Sequence, residues 1–456
     1  MPKYLKCFFS GFILLGSGTW QARAEPDMAG MKPGKQPPVL ANSSALEKCA
    51  ANYSLGLTAY NKGEYSQAVD AFSEAVKVAP GCVRAYFGRA SAYGQLGEYD
   101  NAVSDYSEAI KLDPKYSEAY NWRGVSYANK QKFDKAIEDY SRAIALSPEY
   151  ADAHYDLALA YVHIGNRMEA LASCGKAIAI NPAYAELYGT RGHLLDDSGQ
   201  YDKAVADYLK AVSINPGYAD AFFGLGLAYA HKGEPVKAIE NYTKAISLSP
   251  GLAIAYNNRG AVYADVGEHD KAIRDFTKAI EIEPKDASRY FNRGISFAEG
   301  KEEYDKAIED FSRAINISPE SEAAYYSRGI TYLRQSKFDM AEKDLSKAIE
   351  IDPRVPGAYY SRGQIYSVTG RRAMAIKDLS KAIELDSRNP DAYCARGQAY
   401  SLMGEYDNAI MDLSRAIELN PKHLIAYRTR ATSYAKMGEK EKASADEKKW
   451  QSLRKK

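Results

Sequence analysis

Proline recurs along the chain at a fixed interval, and this spacing limits the fold more than any other feature. Successive prolines lie 34 residues apart at Pro80, Pro114, Pro148, Pro182, Pro216, Pro250 and Pro284. Pro319 comes one residue late, Pro353 restores the interval, Ser387 takes the place of a proline, and Pro421 closes the series. A period of about 20 to 50 residues is typical of solenoids. The 456 residues are therefore expected to form a row of small stacked units and not several globular domains.

Each unit has the pattern of two helices joined by a turn. In one unit the predicted helices run over 119–129 and 134–146, and the proline that follows stops the second helix. Glycines such as Gly97 and Gly165 lie where the first helix should end, at a site that favours a left-handed residue. The extra residue before Pro319 falls in the stretch 300–303, where we expect a loop to absorb it.

The residues inside the unit resemble the tetratricopeptide repeat family over about residues 49–456. The large, small and aromatic positions of its signature, followed by alanine, aromatic, alanine and proline, appear as Tyr120, Gly124, Tyr127, Ala136, Tyr140, Ala143 and Pro148. They recur as Tyr256, Gly260, Tyr263, Ala272, Phe276, Ala279 and Pro284. The resemblance implies an all-α fold, an α-solenoid superhelix of about twelve 34-residue helix-turn-helix repeats. The tyrosines are then expected to fill the core between hairpins and not to bind a cofactor.

The predicted chain has four parts. Residues 1–24 form a signal peptide, with Lys3 and Lys6 before an apolar run and a cleavage site after Ala24. Residues 25–44 form a flexible Pro-rich linker, residues 45–438 form the array, and residues 439–456 form a charged capping helix that completes the last repeat. The repeats are placed at 49–82, 83–116, 117–150, 151–184, 185–218, 219–252, 253–286, 287–321, 322–355, 356–389 and 390–423, with the last from 424.

The signal peptide predicts an exported protein, periplasmic or secreted, with no transmembrane anchor after cleavage. An uncleaved anchor is the alternative, although the apolar run is shorter than the ~20 residues that a spanning helix needs. The full chain carries a net charge of +1, so the composition gives no basic footprint for nucleic acid.

Arginine and aspartate occur together in these repeats or are absent together. The pairs are Arg89 with Asp105, Arg123 with Asp139, Arg191 with Asp207, Arg259 with Asp275, Arg293 with Asp310, Arg328 with Asp344, Arg362 with Asp378, Arg396 with Asp412, and Arg430 with Asp446. In the three remaining repeats Leu55 faces Ala71, Leu157 faces Ser173, and Leu225 faces Asn241. A buried arginine without a carboxylate is costly, so joint loss indicates a contact. We therefore assign these arginines to structure and not to ligand binding.

The cysteines point to structure and not to catalysis. Cys49 opens the first repeat and Cys82 closes it, so antiparallel helices should bring them together. A disulfide is expected in an oxidising compartment, with two free thiols as the alternative. Cys174 and Cys394 have no catalytic setting. No zinc-protease helix, phosphate-binding glycine loop or nucleophile elbow occurs, so we predict no enzyme activity, no catalytic residue and no cofactor.

Metal binding is also not expected. Histidine and aspartate share one position in four successive repeats, at His163, Asp197, His231 and Asp265. Neighbouring helices lie about 8 to 10 Å apart, too far for a ready tetrahedral site, so we expect solvated side chains there.

The family resemblance implies that the first helices line a concave groove and that certain repeat positions face into it. One such position is aromatic and predicts either anchors for an extended peptide or semi-buried packing, at Phe87, Tyr155, Phe223, Phe291, Tyr326 and Tyr360. Acids at Glu118, Asp152, Glu186 and Asp220 either bind a ligand or complement the helix dipole. Deeper acids at Asp196, Asp197, Asp265 and Glu299 are the better binding candidates. Further along, the groove turns basic at Arg334, Arg428 and Lys436.

These features predict a non-enzymatic protein–protein interaction scaffold of the cell envelope. Its partners would be extended peptide or protein segments, basic ones in particular, held in the groove. The alternative is a glycan-binding adaptor in polysaccharide export or envelope assembly, whose tyrosines stack on sugar rings.

Overall fold

The computed structural model describes residues 43–454. The predicted signal peptide lies outside these residues, and so does the predicted linker up to residue 42. The described part of the chain is built of helices without any strand, which confirms the predicted all-α array. Its residues form two compact units, 43–250 and 251–454.

Residues 43–250 fold into six consecutive helical hairpins. Their helices are α1 (Ser43–Asn61), α2 (Tyr65–Val78), α3 (Val83–Gln95), α4 (Tyr99–Leu112), α5 (Ser117–Asn129), α6 (Phe133–Leu146), α7 (Ala151–His163), α8 (Arg167–Ile180), α9 (Ala185–Asp196), α10 (Tyr201–Ile214), α11 (Ala219–His231) and α12 (Pro235–Leu248). Odd-numbered helices are the first helices of their hairpins and even-numbered helices are the second.

Residues 251–454 fold into six further hairpins. Their helices are α13 (Ala253–Asp265), α14 (His269–Ile282), α15 (Ala287–Ile295), α16 (Tyr304–Ile317), α17 (Glu322–Arg334), α18 (Phe338–Ile351), α19 (Pro356–Val368), α20 (Arg372–Leu385), α21 (Pro390–Met403), α22 (Tyr406–Leu419), α23 (Leu424–Lys436) and α24 (Lys440–Arg454). In α24, the predicted cap, Asp446 is buried, and Arg428 and Arg454 lie over the ring of Trp450.

A small residue of the first helix meets a large ring of the second helix inside each typical hairpin. Tyr140 is fully buried, and a Cβ atom added to Gly124 would lie 2.7 Å from its ring. Gly294 stands in the same relation to Phe311. Because glycine has no side chain, the ring of the second helix packs directly on the first helix, and the two helices lie close together.

Most hairpin turns end in a left-handed glycine, as at Gly97 with φ of 76°. Three hairpins place a residue with a side chain at this point instead. The values of φ are 56° at Gln131, 53° at Glu302 and 58° at Ser336. These three turns carry backbone strain that glycine would relieve.

The extra residue of the eighth repeat is absorbed within helical structure, which differs from the loop that we expected. After α15 the chain forms one π-helical turn, Ser296–Gly300. A π-turn holds one more residue than an α-turn, so it takes up the insertion. Gly300 lies directly against the ring of His269, where any side chain would overlap it.

None of the helices within residues 43–454 combines the length and the hydropathy that crossing a membrane requires.

Candidate functional site

Within each unit, first helices of neighbouring hairpins touch one another and so form a shared surface. In residues 43–250 the contacts run from α1 through α3 and α5 to α7, and from α9 to α11. In residues 251–454 they run from α17 through α19 and α21 to α23. We call this surface the first-helix face of each unit. It repeats with the period of the sequence, so one side chain of each hairpin recurs at each position along it.

The predicted arginine–aspartate pairs form two-point ion pairs between the helices of one hairpin. Arg123 donates from Nε to Asp139 Oδ2 at 2.9 Å and from Nη2 to Oδ1 at 2.7 Å. The same bonds join Arg259 to Asp275 at 2.7 and 2.8 Å and Arg362 to Asp378 at 2.7 and 3.0 Å. Each of these aspartates is buried, so its carboxylate has lost its hydration. The arginine compensates with an opposite charge and two hydrogen bonds.

These ion pairs have a third partner, a hydroxyl residue, that was not predicted from the sequence. The Nη1 atom of Arg123 donates to Ser107 Oγ of the preceding hairpin at 3.0 Å, and Arg362 reaches Ser346 Oγ at 2.9 Å. We call each such set of arginine, aspartate and hydroxyl residue a clamp. The hydroxyl residue lies 16 positions before its arginine, and this recurrence was visible in the sequence. Each complete clamp therefore ties two hairpins as well as two helices.

The clamps are interrupted within residues 151–250. Leu157 takes the place of the arginine that would reach Ser141. In another hairpin Leu225 takes the place of the arginine and Leu209 that of the hydroxyl residue. Arg191 keeps its bonds to Asp207 at 2.6 and 2.7 Å, but Gly175 replaces the hydroxyl residue. Ser141 is exposed and lines a cavity of about 460 Å3 together with Arg123 and Arg142. Leu157, Gly175 and Leu225 therefore remove the bond between arginine and hydroxyl residue at three successive junctions between hairpins.

Three of the six aromatic anchor candidates are core residues, which corrects the prediction for them. Phe87 is 0% exposed and packs on the rings of Tyr106 and Tyr116. Tyr155 and Phe223 are likewise buried. Neighbouring rings and helices cover these three side chains, so the packing alternative describes them and a ligand has no access.

The other three candidates, all in residues 251–454, are half-buried and keep part of the ring accessible. Phe291 packs against Phe311 with 5.7 Å between ring centroids. The Tyr360 hydroxyl accepts a hydrogen bond of 2.8 Å from Gln364, and burial raises the pKa of Tyr360 to about 12. Tyr326 lies with its hydroxyl end against Gly357. These rings can still contact a ligand.

The deep acids divide in the same way. Asp196 is buried and accepts a hydrogen bond from His231 Nδ1 at 3.2 Å, so it positions the histidine and is closed to a ligand. This corrects its prediction as a binding residue. Asp197 and Asp265 are exposed at the ends of α9 and α13, and Glu299 is exposed in the π-turn that follows α15. Asp197 also lies 3.6 Å from His193.

Among the side chains of the described residues, no three histidines, cysteines, aspartates or glutamates are grouped so as to hold a metal ion. His163 instead stacks on Phe133 with 4.9 Å between ring centroids. His231 lies over Tyr201.

Cys49 and Cys82 meet in one apolar cluster at the open end of the first hairpin. Both are free thiols and they share a hydrogen bond. Burial and the neighbouring Cys82 raise the pKa of the Cys49 thiol to about 11. The structure thus brings the pair together without a covalent bond.

Models of the tetratricopeptide repeat match the chain in many overlapping segments. The matched residues are 53–117, 106–138, 126–165, 151–184, 192–233, 219–252, 253–286, 301–336, 322–355, 369–404 and 390–423. Together the segments cover well over half of the sequence. No curated protein sequence matches the chain.

Several solved structures are similar to this chain. The APC/C hetero-tetramer Cut9-Hcn1 is 16% identical with a TM-score of 0.46, over 86% of this chain and 97% of that chain. MamA is 34% identical with a TM-score of 0.34, over 36% of this chain and 95% of its own. YrrB, described as a TPR protein with an unusual peptide-binding site, is 27% identical with a TM-score of 0.36, over 41% of this chain and 96% of its own.

Proposed function

Because the chain belongs to the tetratricopeptide repeat family, we propose that it is a non-enzymatic scaffold that binds extended protein segments along its first-helix faces. Arrays of this family generally serve as interaction scaffolds and not as enzymes. An extended segment suits the geometry because one side chain per hairpin recurs along the face, at the spacing of neighbouring helices.

One observation carries the proposed ligand type for residues 43–250. Four consecutive first helices each present an acidic residue in their first turn, at Glu118, Asp152, Glu186 and Asp220, and all four are exposed or half-exposed. Asp197 adds an exposed carboxylate at the far end of α9. A row of like charges attracts a segment of the opposite charge. The proposed ligand of this unit is therefore a basic, extended segment.

The proposed place of action is the cell envelope. It rests on the sequence of residues 1–24, whose basic start, apolar run and small residues are typical of a signal peptide. Mass spectrometry of the protein from an envelope fraction tests this, because cleavage leaves a chain that begins at Glu25. A protein that keeps Met1 and stays in the cytoplasm contradicts it.

A glycan-binding adaptor is the second candidate, and the accessible rings of Phe291, Tyr326 and Tyr360 favour it. Stacking on a neutral sugar depends little on salt, whereas binding of a basic segment to carboxylates weakens as salt rises. The two candidates thus differ in one measurable property.

The experiment uses the full chain and a fluorescent 12-residue peptide of alternating lysine and glycine. We expect its affinity to fall roughly tenfold between 0.05 and 0.5 M NaCl. Glu186→Lys with Asp220→Lys should abolish binding. The matched control is Glu138→Lys with Glu240→Lys, which makes the same charge change on exposed positions of second helices.

Equal losses in the two double variants would show that net charge and not the first-helix face governs binding. Salt-independent capture of a neutral oligosaccharide, without capture of the peptide, would favour the adaptor. Crosslinking in the native envelope fraction then identifies the partner.

A further inference from the structure

Two large apolar side chains are exposed on neighbouring first helices of residues 251–454. Val368, the last residue of α19, is 68% exposed, and Leu402, next to last in α21, is 62% exposed. They are 34 positions apart, so they hold the same place in consecutive repeats. Met403 beside them is 45% exposed. Single exposed apolar residues are ordinary, but an apolar patch shared by adjoining helices marks an interaction surface.

Hydrogen bonds place this end of the helices at the seam between first helices. Ser433 Oγ of α23 donates to Ser401 Oγ of α21 at 3.0 Å, directly beside Leu402. Arg334, the last residue of α17, donates from Nη1 to the carbonyl oxygen of Ala298 in the preceding hairpin at 3.2 Å. Val368 and Leu402 therefore lie on the first-helix face and not on the surface of the second helices.

Cations flank the apolar pair on both sides. The repeat position of Val368 and Leu402 is held by Arg334 in the hairpin before them and by Lys436 in the hairpin after them. Both cations are exposed. The acid of α21, Asp391, lies at the opposite end of that helix and accepts a hydrogen bond from His423 Nε2 at 3.1 Å. Four adjoining first helices thus present the order cation, apolar, apolar, cation.

We propose that this face binds an extended segment with two apolar side chains three residues apart and an acidic side chain three residues beyond each. Neighbouring helices lie about 8 to 10 Å apart. A polyproline II segment has three residues per turn and rises about 3.1 Å per residue, so residues i and i+3 point the same way about 9 Å apart. Such a segment matches Val368 and Leu402 with its apolar residues, and Arg334 and Lys436 with its acids.

This inference deepens the proposed function and rests on it. It gives residues 251–454 a ligand of the opposite charge to that of residues 43–250. Charge complementarity selects the partner, and the apolar pair supplies the contact area.

The test uses the full chain and a fluorescent proline-rich decapeptide with glutamate at positions 1 and 10 and leucine at positions 4 and 7. Two control peptides replace the leucines by serine or the glutamates by lysine. Fluorescence anisotropy should detect binding of the first peptide only. Val368→Ser with Leu402→Ser should weaken it at least about tenfold, because two apolar contacts are lost. Lys436→Glu should weaken it several-fold and improve binding of the lysine peptide.

The matched control is Met168→Ser with Val236→Ser. These residues are 78% and 68% exposed on second helices, so the variant removes similar apolar surface away from the face. Its affinity should stay within about twofold of the parent. Circular dichroism checks folding, and Val368→Thr with Leu402→Gln, which keeps the side-chain bulk, should weaken binding as well.

The outcomes separate this inference from the proposed function. If the lysine–glycine peptide binds and the acidic peptide does not, the inference is overturned and the proposed function stands. If neither binds, both are overturned. Phosphatidylglycerol vesicles captured by Val368 and Leu402 in place of the peptide, or a dimer in sedimentation that Val368→Ser with Leu402→Ser dissociates, would each overturn the inference too.

Discussion

Breaking one clamp from either side should show that arginine and aspartate act as a unit. In the eleventh hairpin Arg396 donates to Asp412 Oδ2 and Oδ1 at 2.7 and 2.8 Å and to Ser380 Oγ at 2.9 Å. Asp412 is 2% exposed. Arg396→Leu leaves this carboxylate buried and unpaired, which costs about 3 to 5 kcal/mol. Asp412→Ser costs less, because Arg396 is partly exposed and can turn its charge toward water.

The double variant Arg396→Leu with Asp412→Ser should recover most of that loss. It reproduces the residues that the chain already uses at Ser141, Leu157 and Ser173. An apolar residue that replaces a buried ion pair at similar volume is often neutral in stability. We expect the double variant to lie within about 1.5 kcal/mol of the parent. The coupling free energy between the two sites is then about 2 to 4 kcal/mol.

Hydrogen exchange of the α21 and α22 amides is the suitable assay, because a repeat array opens hairpin by hairpin. Each ~1.4 kcal/mol is a factor of ten, so Arg396→Leu alone should speed exchange roughly a hundredfold to a few thousandfold. The double variant should exchange within about tenfold of the parental rate. Additive effects of the two single substitutions would refute the reasoning, since independent residues would not need to be lost together.

Three further predictions follow from the same geometry. Ser336→Gly should raise the free energy of unfolding by about 0.5 to 1 kcal/mol in thermal denaturation, because glycine adopts its positive φ without strain; a loss would show that the serine side chain matters more than the backbone. Oxidation by glutathione disulfide should join Cys49 to Cys82 and stabilise the first hairpin by about 4 kcal/mol through loop entropy. Mass spectrometry should show the loss of two hydrogens, which Cys82→Ser prevents. Leu157→Arg with Ser173→Asp should be at least about 2 kcal/mol more stable than Leu157→Arg alone by local hydrogen exchange, and equal values would mean that no new clamp forms.

The sequence predicted the hairpins and the ion pairs because the chain repeats itself and its repeats can be compared with one another. A pair such as Arg123 and Asp139 shows its contact through joint loss elsewhere in the chain. Whether one particular side chain is buried cannot be predicted by comparing repeats in this way. Phe87 and Tyr326 share a repeat position, yet Phe87 is covered by Tyr106 and Tyr116 while Tyr326 is half-buried. The residues that cover this position differ between repeats. The repeat position alone therefore could not distinguish a core residue from a residue on a binding surface.

Two local features also needed coordinates. The insertion near residue 300 had the composition of a loop, but a π-turn lets α15 keep its hydrogen-bonded end and still take up one residue. Asp196 had the position of a binding residue, but its side chain meets His231 of the next first helix. Both outcomes depend on contacts between neighbouring hairpins, which the residue pattern of a single hairpin does not show.

The comparison of repeats also separates folding from recognition within this one chain. The clamp position alternates between only two residue types, arginine paired with aspartate or leucine without it, because a packing site tolerates few solutions. The position near the end of each first helix changes in charge and polarity along the array: His163, Asp197, His231, Asp265, Glu299, Arg334, Val368, Leu402 and Lys436. Contacts between hairpins account for some of these side chains, such as His163 on Phe133 and His231 with Asp196, but not for the change from acidic to apolar to basic residues among the exposed ones. Within each unit, a ligand that contacts one residue per hairpin would meet a different chemistry at successive steps, so the proposed binding specificity should be sought at this position.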